Sequence, residues 1–91
     1  MERLNGLDDR TLILEEGFLS VQRWGDNVSR IALADLGETE VVRDDKKKMF
    51  GANEERIRVR FGAIVTAIWV EADREQEAKD FAAAVDAARA T

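Results

Sequence analysis

Arg56, Arg58 and Arg60 stand on alternate positions of the stretch RIRVRF, so in an extended strand their guanidinium groups share one face. Each is a permanently charged planar fork that matches a carboxylate or a phosphate with paired N–H donors. Lys46, Lys47 and Lys48 add ammonium groups a few residues earlier. These cations are the anion-binding chemistry of the chain. A polybasic membrane anchor takes about 4 to 8 clustered cations. The lysine run is shorter and follows Asp44 and Asp45 directly, so it reads first as a solvated loop.

The remaining inventory is narrow. The chain has no histidine and no cysteine. That excludes disulfides, thiolate nucleophiles, zinc-cysteine sites and the usual general base, and with them Ser-His-Asp or Cys-His machinery. Carboxylates occur as adjacent pairs at Asp8-Asp9, Glu15-Glu16, Asp44-Asp45 and Glu54-Glu55. Neighbours along a strand point to opposite faces, so adjacency makes no acid/base dyad. RDDKKK also lacks the Asp-x-Asp-x-Asp-Gly order of a calcium loop. The sequence predicts no catalytic residue, no metal site, no cofactor, and a protein that is not an enzyme.

Charge is unevenly spread. A formal net charge of -5 argues against nonspecific nucleic-acid binding by the whole chain. Residues 1–42 carry -5, residues 43–60 carry +3 and residues 61–91 carry -3, so only the middle section attracts an anion. Ninety-one residues make one small domain with one hydrophobic core. Mean hydropathy is -0.35. The longest apolar run, Phe61 to Val70, holds Gly62 and Thr66 and falls well short of the roughly 20 residues of a spanning helix. Met1-Glu2-Arg3-Leu4-Asn5 lacks the basic and apolar regions of a secretory leader, and the expected compartment is the cytoplasm.

The elements that position the cations follow from periodicity and turn residues. With no proline, glycine punctuates the chain. Residues 1–9 read as a loosely ordered lead and residues 10–91 as the domain. RTLILEEGFLSVQRW predicts a hairpin about Glu16-Gly17 that pairs Leu14 with Leu19 and Leu12 with Val21, with Thr11, Ser20 and Gln22 on the other face. A three-residue loop Gly25-Asp26-Asn27, with Asn27 left-handed, sets Val21 opposite Ile31 and Leu19 opposite Leu33. TEVVRDD is a further strand, and Lys47 to Phe50 a short additional one.

The late hairpin RIRVRF-GA-IVTAIWVEA turns at Gly62-Ala63. It sets Ile57, Val59 and Phe61 against Ile68, Thr66 and Ile64 on the inner face. On the outer face it places Arg56 opposite Trp69, Arg58 opposite Ala67 and Arg60 opposite Val65. A helix follows, with Asp73 as its cap and Gln76 in a capping-box relation. Ala78, Phe81, Ala82, Val85 and Ala88 form its buried face.

GFLSVQR after a first strand, RIALADL as the third, the late hairpin and FAAAV in the final helix resemble the small bacterial members of the pleckstrin-homology-like family. The resemblance covers about residues 10 to 90. It implies a mainly β fold, a partly open antiparallel barrel of six or seven strands capped by one C-terminal helix, and it supplies an architecture rather than a role. In phosphoinositide-binding relatives, basic residues cluster around the loop between the first two strands. Here that loop is Glu15-Glu16-Gly17, which argues against an inositol-phosphate site.

The function expected is a non-catalytic intracellular protein-interaction or self-assembly module. Its interface is Arg56, Arg58, Arg60, Val65, Ala67 and Trp69, because Trp with Arg is the pairing enriched at interface hot spots. Phe18 and Trp24 share the outward parity of the meander and could extend an exposed patch. The alternative is a membrane-surface or anionic-ligand module that uses Lys46, Lys47, Lys48 and the same arginines. A third reading needs no partner: arginine stems lie over apolar neighbours on a solvated face.

Overall fold

The computed structural model describes residues 2–7, 9–47 and 53–90, and of residues 27, 44–47, 53, 54 and 63–65 the backbone alone. The described residues form seven strands in two antiparallel sheets. The first sheet is a meander of β1 (Glu2–Asn5), β2 (Arg10–Glu15), β3 (Phe18–Arg23) and β4 (Asp26–Ala32). The second holds β5 (Thr39–Lys47), β6 (Asn53–Phe61) and β7 (Ala63–Glu71), and the helix α1 (Glu75–Arg89) ends the chain. The opening segment, read from sequence as a lead outside the domain, contributes β1, whose Leu4 is fully buried opposite Leu12. The strand expected at Lys47 to Phe50 falls largely outside the described residues; Lys47 itself closes β5.

The expected barrel resolves into two separate sheets for a visible reason. Between β4 and β5 the chain makes a 3-10 turn, Leu33–Asp35, instead of continuing the ladder. Elsewhere the β1–β2 loop meets the second sheet through a single backbone bond, Leu7 N–H to the Trp69 carbonyl at 2.6 Å, while Gly37 N–H to the Phe61 carbonyl at 3.3 Å ties the β4–β5 connection to β6. Both sheets turn their apolar faces to one core. Leu4, Leu12, Leu14, Leu19 and Val21 meet Ile57, Val59, Phe61, Ile68 and Val70 there, with Leu33 and Leu36 beside them. From α1 the core receives Ala78, Phe81, Ala82 and Val85, the helical spacing seen in the sequence. No helix of the described residues is long and apolar enough to cross a membrane.

The first hairpin pairs Leu14 with Leu19 and Leu12 with Val21, as its turn residues predict. Two other registers differ. The β3–β4 turn has two residues, Trp24 and Gly25, with φ of 53° and 83°, the left-handed pair that a tight primed turn requires. An irregularity after Val21 takes up one residue of β4, so Val21 faces Ser29 and Leu19 faces Ile31, while Leu33 leaves the sheet. In the late hairpin Ile57 faces Val70 and Val59 faces Ile68, with a shift between Val59 and Phe61 next to the turn. Leu19, Val21, Ile57 and Val59 each meet a partner two positions from the expected one and stay buried on the expected face, whereas Phe61 faces Ala63 instead of Ile64.

The helix start also differs. A 3-10 turn, Ala72–Arg74, leads into α1, so Asp73 lies inside that turn and Arg74 holds the cap position without a side-chain cap bond. Gln76 donates to Asp80 at 2.9 Å instead of reaching back to Asp73. Glu75 and Glu77 occupy the first helical turn, where the dipole favours acids. Arg74 ties that turn to the strand end through Glu77 at 2.7 Å and Glu71 at 3.1 Å.

Candidate functional site

The arginine row lies on the outer face of the second sheet because the alternate positions Ile57, Val59 and Phe61 are buried in the core. β5 on one side and β7 on the other bring its partners. Glu40 sits across from Arg60, Val42 and Trp69 flank Arg58, and Asp44 and Glu71 flank Arg56 by register. The Glu40 carboxylate takes a bond from each of two guanidiniums, Arg58 Nη2 at 2.8 Å and Arg60 Nη2 at 2.7 Å. The guanidinium of Arg58 lies 5.9 Å from the Trp69 ring centroid, so the expected stacking belongs to Arg58, while Arg56 faces Glu71. Register explains the exchange: the two-residue shift moved Trp69 along the row.

These groups are half-buried rather than displayed. Arg58 and Glu40 each keep 33% side-chain exposure and Arg60 keeps 37%. The Nε atoms of Arg58 and Arg60 lie buried without an acceptor. Ala67 and Trp69 are intermediate in exposure. The side chains of Val65, Lys46 and Lys47, and the whole of Lys48, lie outside the described residues. The arrangement is a cross-strand ladder in which a carboxylate already occupies two of the three forks. Glu40 is the residue that sequence reasoning missed. The signal was its outward parity with Val42 in β5, usable only once β5 is known to pair with β6.

Glu40 gives a direct test. The hydrogen bond from Arg58 first, and the Arg60 charge and hydrogen bond with it, hold its carboxyl below the ordinary 4.5. Because the folded value is depressed, its contribution to stability is fully present above the unfolded value and is lost as pH falls through the folded one. In an NMR titration Glu40 is expected to titrate below 4.5 and to return toward it in Arg58→Gln. An unshifted Glu40 in the parent would remove the shared bridge.

A second cluster lies at the β3–β4 turn. Trp24 is 68% exposed and Val28 59%, while Phe18 lies at the opposite end of β3, its ring overlaid by Arg30 at 4.2 Å. The Trp24 indole N–H donates to Asp9 Oδ2 at 2.8 Å, and its backbone N–H to the Asp9 carbonyl at 3.1 Å. Arg23 lies 4.3 Å over the indole ring. Arg23 and Arg10 oppose each other in register, and neither makes an ion pair with a described residue. The aromatic tip is therefore fixed in place while its ring stays in water.

At the other end of β3 the turn Glu16-Gly17 borders an open depression of about 430 Å³ lined by Glu2, Leu14, Glu15, Glu16 and Ala88. Glu15 there accepts from Ser20 and forms an ion pair with Arg30, whose Nε lies 3.3 Å away. The loop between the first two strands is residues 6–9 once β1 is counted, and it too lacks basic residues. Among the described residues no three potential ligands cluster as a metal site would need. Comparison of the chain with known protein families, with curated proteins and with solved structures gives no match.

Proposed function

We propose that this chain is a non-catalytic intracellular protein-interaction or self-assembly module built on a pleckstrin-homology-like plan. The plan is supported by seven antiparallel strands, split four and three, followed by one amphipathic C-terminal helix. The interaction role rests on one observation, the exposed and immobilised Trp24 at the β3–β4 turn. Trp and Arg supply most hot spots, and a side chain already held by its own domain loses little entropy on docking. The anionic-ligand alternative has less support, since Arg58 and Arg60 already share Glu40.

Sedimentation of the pure protein over a range of concentrations, with and without anionic vesicles and at several salt concentrations, tests the reading. The expected result is mass that rises with protein concentration and no vesicle association near physiological salt. Vesicle binding lost on neutralising Lys46, Lys47 and Lys48 would replace this reading with the membrane-surface one. A strictly monomeric protein at high concentration would remove self-assembly.

A further inference from the structure

We infer that copies of this chain join head to tail, the Trp24 tip of one copy seated in the Glu2–Leu14–Glu16 depression of the next. This rests on the self-assembly reading and names its two surfaces. The tip has the properties of an anchor. Its indole N–H is already bonded to Asp9, so burying the ring leaves its one polar atom satisfied. Trp24 is held at φ 53° and Asp9 at φ 57°, a left-handed backbone that is uncommon for non-glycine residues and costly for a bulky one. The fold accepts that cost at a ring it leaves 68% exposed. Beside the ring, Arg10 and Arg23 face each other across β2 and β3, a like-charge pair that an acidic counterpart would relieve.

The depression is the complement of that tip. Leu14 and Ala88 supply an apolar surface, and Glu2, Glu15 and Glu16 surround it. Glu15 is occupied by Ser20 and Arg30, whereas Glu2 and Glu16 make no ion pair with a described residue. Two carboxylates without an ion pair to a described residue therefore complement two guanidiniums in the same condition. The depression is open and spans about 430 Å³, so a ring can lie against its floor.

Tip and depression lie at opposite ends of β3, six residues or roughly 20 Å apart, so a copy cannot fill its own depression. Two different patches in contact make a heterologous interface, which propagates unless rotation closes it into a ring.

The test is a sedimentation series on the parent, Trp24→Ala and the double variant Glu2→Lys with Glu16→Lys, each checked for native circular dichroism. The parent is expected to grow in mass beyond a dimer. Each variant alone should associate about 30-fold more weakly. An equimolar mixture should recover a pair that does not grow, because one variant keeps the depression and the other keeps the tip. A parent monomeric at every concentration overturns this inference together with self-assembly. A parent that assembles, with assembly abolished by Arg58→Glu and unchanged by Trp24→Ala, overturns this inference alone, as does a mixture that forms no pair.

Discussion

Phe81→Ala is expected to lower the unfolding free energy by about 3 to 5 kcal/mol, the range for deleting a buried aromatic ring. Phe81 is 3% exposed and meets Phe61 of β6 edge to face, with centroids 6.2 Å apart. Its buried neighbours on α1 are Ala78, Ala82 and Val85, so Phe81 is the helix's one aromatic ring in the core. The alanines let the helix approach closely and cannot refill the space a lost ring leaves. A domain of this size has about 5 to 10 kcal/mol in total. The variant should therefore unfold at much lower denaturant with an unchanged slope. A midpoint within a few tenths molar of the parent would show that the helix is held by something other than Phe81.

Gly62→Ala is expected to cost about 2 to 4 kcal/mol, through backbone strain and overpacking together. Gly62 sits at φ 91°, and a Cβ there would lie 2.6 Å from the Gly37 Cα and 2.7 Å from its nitrogen. Backbone atoms cannot rotate away as a side chain can, so the substitution pushes the β6–β7 turn off the segment that joins the sheets. The bond from Gly37 N–H to the Phe61 carbonyl would be strained with it. Gly17→Ala is the control, because Gly17 has φ 79° but nothing within 4 Å of a built Cβ. It should lose only the conformational part, about 1 kcal/mol. Equal losses in the two variants would mean that the Gly37–Gly62 contact carries no energy of its own.

The alternation of Leu12, Leu14, Leu19 and Val21, and of Ile57, Val59 and Phe61, determined from sequence alone which side chains enter the core. The same holds for Phe81 and Val85 on the helix, because periods of 2 and 3.6 are written in the order of residues. Register was another matter. A slip of two positions leaves an alternating pattern unchanged, so nothing in the pattern could tell Arg56 from Arg58 as the neighbour of Trp69. That choice was made by local backbone geometry, the shift beside Gly62, just as the left-handed Trp24-Gly25 turn and the irregularity after Val21 set the β3–β4 register in the first sheet.

Pairing between distant segments was likewise invisible in the sequence. Glu40 meets Arg58 and Arg60 because β5 lies beside β6, and Asp9 holds Trp24 because the β1–β2 loop reaches the β3–β4 turn. The composition settled which chemistry was absent, since a chain without histidine or cysteine has neither in any fold. Only the tertiary structure decided which arginines were already answered and which aromatic stayed in water. Charge partners and exposure depend on what the chain brings together in space, and strand alternation specifies a face without specifying what lies across from it.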